Sequence, residues 1–247
     1  MKKISKLILL TVALLLLVGW DTGKVDNILS KSSHISSAGD RIAYISQQLL
    51  GTPYADGTLK GSPDSKEELV VNLNGVDCFT FLDTVEALRL SDNAENFIKN
   101  LKQVRYFSGK VDYVNRKHFF TDWISGDLNT VKDITPEIAG TITVEKYINR
   151  RSDKNSWLKN LPQTMRMVTY LPASIIDKEV IKTLKTGDYI GIYSDKAGLD
   201  ATHTGIFIRN SNGEFFRNAS SLKGKVVDYP FREYMTKVRG IIIFRPI

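Results

Sequence analysis

The sequence predicts an α+β fold, with N-terminal helices packed on a small antiparallel β-barrel or sheet formed by the C-terminal part. Three observations carry this. Apolar residues recur at helical spacing at Ile42, Ile45 and Leu49, and again at Phe81, Leu82, Val85 and Leu88. From Gly187 onward, short β-rich segments are separated by Gly, Asn and Asp turns. Helices grouped ahead of strands, instead of alternating with them, favour α layered on antiparallel β. With 247 residues, 42% hydrophobic and 25% charged, the chain can fill a core and is not a disordered polymer.

The chain opens with Lys2, Lys3 and Lys6 and a largely apolar run from Leu7 to Trp20. A basic n-region followed by such a run is the pattern of an export signal, and it falls short of the ~20 apolar residues of a comfortable membrane span. Residues 1–24 are read as a signal peptide without a clear cleavage site. The only membrane attachment expected is this segment, if it stays uncleaved. Trp20 stands where a lipoprotein needs Cys. Residues 25–247 are expected to form a single domain, with Val25–Ser37 as a polar linker or arm.

A first helix is expected after Asp40 as N-cap, stopping at Gly51. Asp77 caps the next helix, which places Cys78 in its first turn and sets Asp83, Glu86 and Arg89 away from the apolar face. Ser91 or Asp92 starts a third helix through Phe97, Leu101 and Val104. The middle is less legible, with one strand expected near Arg166–Tyr170. The expected C-terminal strands are Gly187–Ser194, His203–Arg209, Glu214–Arg217, Lys225–Tyr229 and Gly240–Arg245.

Charge and histidine spacing narrow the function classes. The formal charge is +7, and three of the lysines lie within residues 1–20, which contain no acids. The mild positive bias that remains suits an anionic polymer, and nothing matches the dense basic clusters of nucleic-acid binders. No metal or other cofactor is implied: the three histidines lie far apart and there is no second cysteine.

Cys78, the lone cysteine, is a free thiol in a chain expected to be exported. It reads either as a small buried hydrophobe or as a nucleophile. A helix N-terminus lowers a thiol pKa from its usual ~8.5 and favours the second reading. His203 begins the strand His203-Thr204-Gly205-Ile206-Phe207-Ile208, in which Thr204, Ile206 and Ile208 face one side and His203, Gly205 and Phe207 the other. Gly205 leaves room on the histidine face for another chain or a substrate. Asn218, after the next strand and across a turn at Asn210–Gly213, can lie beside His203, and Asn holds the imidazole in papain-like enzymes. Taken singly, a strand histidine is more often structural than catalytic, and a strand-end asparagine is as often a simple cap.

Four landmarks in order, Gly51-Thr52-Pro53-Tyr54, Asp77-Cys78, Gly187-Asp188 and His203-Thr204-Gly205, resemble those of the NlpC-like cell-wall peptidases. The resemblance implies a papain-like NlpC-type fold, with Cys78, His203 and Asn218 catalytic and Tyr54 and Asp77 at the active-site rim. Two departures stand out: Asp77-Cys78-Phe79-Thr80 replaces the usual Asp-Cys-Ser-Gly, and a long insert separates Cys78 from His203. The Asp-Cys-Phe-Thr-Phe form, with Arg116–Trp123 in the insert, resembles the N-acetylmuramoyl-L-alanine amidase-like branch. That implies a bacterial periplasmic or cell-envelope hydrolase that cuts the lactyl–L-Ala amide of muropeptides, anhydro forms included.

Two alternatives stay open: an endopeptidase for the γ-D-Glu–diamino acid bond using the same residues, and a non-catalytic wall-binding module. Arg116, His118, Asp122 and Trp123 form a candidate sugar- or carboxylate-binding group. Equally, the aromatics of this segment are core, and Asp122 pairs with Arg116 or His118.

Overall fold

The computed structural model describes residues 22–126 and 129–247. The expected signal segment as far as residue 21 lies outside them. Two helices come first, α1 (Thr22–Ser32) and α2 (Ala38–Gln47), then a small hairpin of β1 (Lys60–Ser62) and β2 (Ser65–Glu68). Two further helices follow, α3 (Cys78–Arg89) and α4 (Ala94–Arg105). Short 3₁₀ turns lead to β3 (Val131–Asp133), β4 (Ile142–Ile148) and β5 (Thr164–Pro172). The rest is α5 (Lys178–Thr183), β6 (Tyr189–Tyr193), β7 (Ala201–Asn210), β8 (Gly213–Ser220), β9 (Lys225–Pro230), α6 (Phe231–Met235) and β10 (Gly240–Pro246). The fold is α+β, with the N-terminal helices packed on an eight-stranded antiparallel sheet.

Several local expectations are corrected. The stretch read as an arm is largely helix: Val25, Ile28 and Leu29 are buried at i, i+3, i+4 spacing, a one-sided stripe in a polar sequence. Ser37, not Asp40, caps α2, because the Ser37 side chain accepts the Asp40 N–H. Asn93 caps α4 in the same way through Asn96, in place of Ser91 or Asp92. The charged residues of α3 are buried. Arg89 pairs with Glu86 at 2.8 Å, the Tyr189 hydroxyl donates to Glu86 at 2.7 Å, and Arg105 holds Asp83 at 2.9 Å. Burial on every side of α3 is tolerable because these charges are paired.

The strand order is β4-β5-β10-β6-β7-β8-β9, with β3 pairing the far end of β10. The last strand therefore inserts between earlier ones. Its run Ile241-Ile242-Ile243-Phe244 is buried, as a central strand covered on both faces requires. The alternation expected for β7 holds. Ile206 and Ile208 join the core under the helices, while Phe207 packs with Phe216, Phe231 and Met235 in a second core. Neighbours on β7 therefore address different sides of the sheet, and this positions the site.

Candidate active site

Helix α3 begins where it does because Asp77 caps it. Asp77 Oδ1 accepts the N–H groups of Phe79 (2.9 Å) and Thr80 (2.7 Å), and Thr80 Oγ1 accepts the Asp77 N–H (2.9 Å). This is a reciprocal capping box, completed by one of the two residues that depart from the family motif. Phe81 N–H bonds the Asp77 carbonyl at 3.0 Å. The N–H groups of Phe79, Thr80 and Phe81 are thereby satisfied, and Cys78 sits ahead of them at the first helical position.

The Gly51–Tyr54 loop is stitched beside this start. Tyr54 N–H donates to Gly224 O (2.8 Å), and Val76 N–H donates to Pro53 O (3.1 Å). Tyr54 thus stands next to the chain entering α3. Burial, and then the proximity of Cys78, raise its phenol pKa.

From the sheet, Thr204 reaches α3: its hydroxyl donates to the Cys78 carbonyl at 2.9 Å. On the other face, His203 Nε2 lies 3.0 Å from Asn218 Oδ1. Register explains the pair. Ile206 faces Arg217 and Phe207 faces Phe216, which sets Asn218 opposite Gly205, two residues from His203 on the same face. Asn218 lies inside β8, not after it. Its Nδ2 donates to Phe216 O at 3.1 Å, which turns the amide oxygen toward the ring. An amide oxygen only accepts, which assigns the proton to His203 Nε2 and leaves Nδ1 with a free lone pair. The room expected at Gly205 is already filled: a Cβ there would meet the Phe216 ring at 2.5 Å.

The electrostatics differ from expectation in one respect. Burial, and then the Asp77 carboxylate, push the Cys78 thiol up, and hydrogen bonds from Thr204 oppose them. The capping carboxylate works against the helix N-terminus. Burial lowers the His203 pKa, and the Asn218 bond opposes it. Both shifts act toward the neutral thiol and the neutral imidazole.

Arg116, His118, Asp122 and Trp123 form a different cluster. Arg116 binds Glu67 at 2.7 Å and Gly61 O at 3.0 Å. His118 Nε2 lies 3.0 Å from Tyr113 O, and burial brings its pKa down to about 4. Asp122 accepts the N–H groups of His118 and Phe119 and pairs with Arg166 at 2.6 Å, so its cation is neither Arg116 nor His118. Trp123 is core, edge-on to Tyr189 and 6.1 Å from Phe79. The Phe79 of the motif and the Trp123 of the insert are packing partners. Arg116→Ala strips buried Glu67 of its cation, leaving it the Tyr106 hydroxyl at 2.8 Å, and is expected to cost about 3–5 kcal/mol, with Trp123→Ala similar through its cavity. Thermal unfolding should register both, with KM unchanged; a raised KM at wild-type melting temperature would return the segment to substrate binding.

Two neighbours of the site carry no signal of their own in the sequence. Tyr234, from α6, lies 6.4 Å from the His203 ring, inclined by 24°, and burial, then the proximity of Cys78, raise its pKa. Arg217 pins β8 to α2, donating to Ala43 O at 3.0 Å while pairing with Asp228 at 2.7 Å.

A family profile described as AmiA-like, N-acetylmuramoyl-L-alanine amidase-like, matches residues 44–241. No curated protein sequence matches. Among solved structures, a Legionella pneumophila protein of the DUF1460 family is 26% identical, with TM-score 0.77, covering 92% of this chain and 94% of that one. An N-acetylmuramoyl-L-alanine amidase from Bacteroides uniformis is 27% identical, with TM-score 0.72, covering 85% and 99%. A Bacteroides fragilis candidate xylanase is 27% identical, with TM-score 0.66, covering 81% and 98%. The profile takes in Tyr54, the capped start of α3 and the β7–β8 hairpin, and on that match the chain belongs to the AmiA-like, N-acetylmuramoyl-L-alanine amidase-like family.

Proposed function

We propose that this protein is an exported peptidoglycan hydrolase of papain-like NlpC type, a cysteine amidase that cleaves the amide between the muramoyl lactyl group and L-Ala in muropeptides. The observation that carries the mechanism is the Asn218-held imidazole, on the residue adjacent to the one that clamps Cys78. His203 Nδ1 takes the thiol proton as Cys78 Sγ attacks the carbonyl carbon. The oxyanion is held by the Cys78 N–H, with the Tyr54 hydroxyl as second donor. The tetrahedral adduct collapses, the C–N bond breaks, and His203 gives its proton to the departing L-Ala amine. Water, deprotonated by His203, then attacks the thioester, releasing the lactyl carboxylate and restoring the thiol.

A glycosidase needs two flanking carboxylates. The groups gathered here are instead a thiol, an imidazole and an amide, Cys78, His203 and Asn218, a set suited to acyl transfer. The test is product analysis on an anhydro-disaccharide peptide, a free tetrapeptide and whole sacculi. Release of peptide with an unblocked L-Ala amine from the first alone is the expected result. Cleavage of the free tetrapeptide between D-Glu and the diamino acid would make the protein an endopeptidase.

A further inference from the structure

A cleft of about 260 Å³ opens beside His203 and Asn218, with Tyr229, Tyr234, Ser221 and Lys223 among its walls. Its position has a chemical consequence. In cysteine-catalysed amide cleavage the departing amine must meet the imidazole that protonates it. Substrate on the amine side of the scissile bond therefore lies on the imidazole side of the thiol, and this cleft is bounded by that imidazole.

The outer wall is a fixed turn. Lys223 N–H donates to Ser220 Oγ at 3.2 Å, and Gly224 O accepts from Tyr54 at 2.8 Å. The Lys223 ammonium has no carboxylate partner among the described residues, whereas nearby Lys237 is engaged by Glu233 at 3.2 Å and by the Tyr229 hydroxyl at 2.8 Å. Leu222, 97% exposed, stands between Lys223 and Ser221 as an apolar tip on the rim. The floor is aromatic, with Tyr234 backed by Phe216 at 4.6 Å. An aromatic floor, hydroxyls and an uncompensated cation suit a short peptide carrying a carboxylate.

We propose that this cleft is the subsite for the amine-side peptide, with Lys223 reading a carboxylate close to the scissile bond and Tyr234 supporting the chain. The assignment rests on the amidase reading for its direction. The binding experiment does not depend on turnover. Calorimetry on the Cys78→Ala protein would compare L-Ala-γ-D-Glu-L-Lys with the same tripeptide amidated at the D-Glu α-carboxyl. The free acid is expected to bind about fivefold tighter, the scale of an exposed ion pair, and less so at high salt. Lys223→Ala in that background should abolish the difference while leaving the amidated peptide's affinity unchanged. Equal affinities before the change, a preference that survives it, or no binding of either peptide would overturn the proposal. Failure of the wild-type protein to hydrolyse any muropeptide would instead remove the amidase reading and leave this comparison standing.

Discussion

Cys78→Ala is expected to remove muropeptide hydrolysis, lowering kcat by about 10⁴-fold or more, the scale on which nucleophile loss acts in such sites. The fold should survive. Cys78 is only partly buried, and the cap of α3 is built from Asp77 and Thr80, which the substitution leaves in place. Cys78→Ser should be nearly as inactive, because the alcohol is a far weaker acid than the thiol and the imidazole has a lowered pKa. Wild-type turnover in a folded Cys78→Ala protein would end the cysteine-enzyme reading and leave the wall-binding alternative.

His203→Ala is expected to lower kcat by roughly 10²–10⁴-fold, the contribution of a positioned general acid–base. Asn218→Ala should cost less, since Asn218 orients the ring and moves no proton. In the double mutant the losses should fail to add, because both act through one imidazole. The pH profile gives an independent check. Below the His203 pKa the protonated ring cannot take the thiol proton, and above the Cys78 pKa no proton remains for the leaving amine. With the first pushed below its usual 6.5 and the second above 9.0, the active window is broad. Asn218→Ala removes the bond that holds the imidazole pKa up, so the acidic limb should move to still lower pH. Additive losses with an unmoved acidic limb would separate Asn218 from His203.

What was legible in the sequence followed from local rules. Asp77 and Thr80 satisfy a capping pattern that spans three residues, so the start of α3 was readable without tertiary information. The pairing of His203 with Asn218 follows from strand alternation and a short hairpin. Features that depend on distant partners were hidden. Asp83 finds Arg105 across 22 residues, and Glu86 finds Tyr189 across 103, so their burial could not be read from the polar character of α3. Tyr234 reaches His203 from a five-residue helix that shows no periodicity of its own. In the 116–123 segment the residue types suited either role, and the partners supplied by distant parts of the chain, Glu67 for Arg116 and Arg166 for Asp122, could not be read locally.

The mass of the covalent intermediate on Cys78 separates the amidase from every alternative in one measurement. Wild-type protein mixed with an anhydro-disaccharide peptide, acid-quenched within milliseconds and digested, should yield the Cys78 peptide carrying the muramoyl acyl group and no amino acid. An adduct that retains L-Ala and D-Glu would place the cut farther along the stem and contradict the amidase reading, and turnover with no adduct on Cys78, undiminished by Cys78→Ala, would contradict the nucleophile itself.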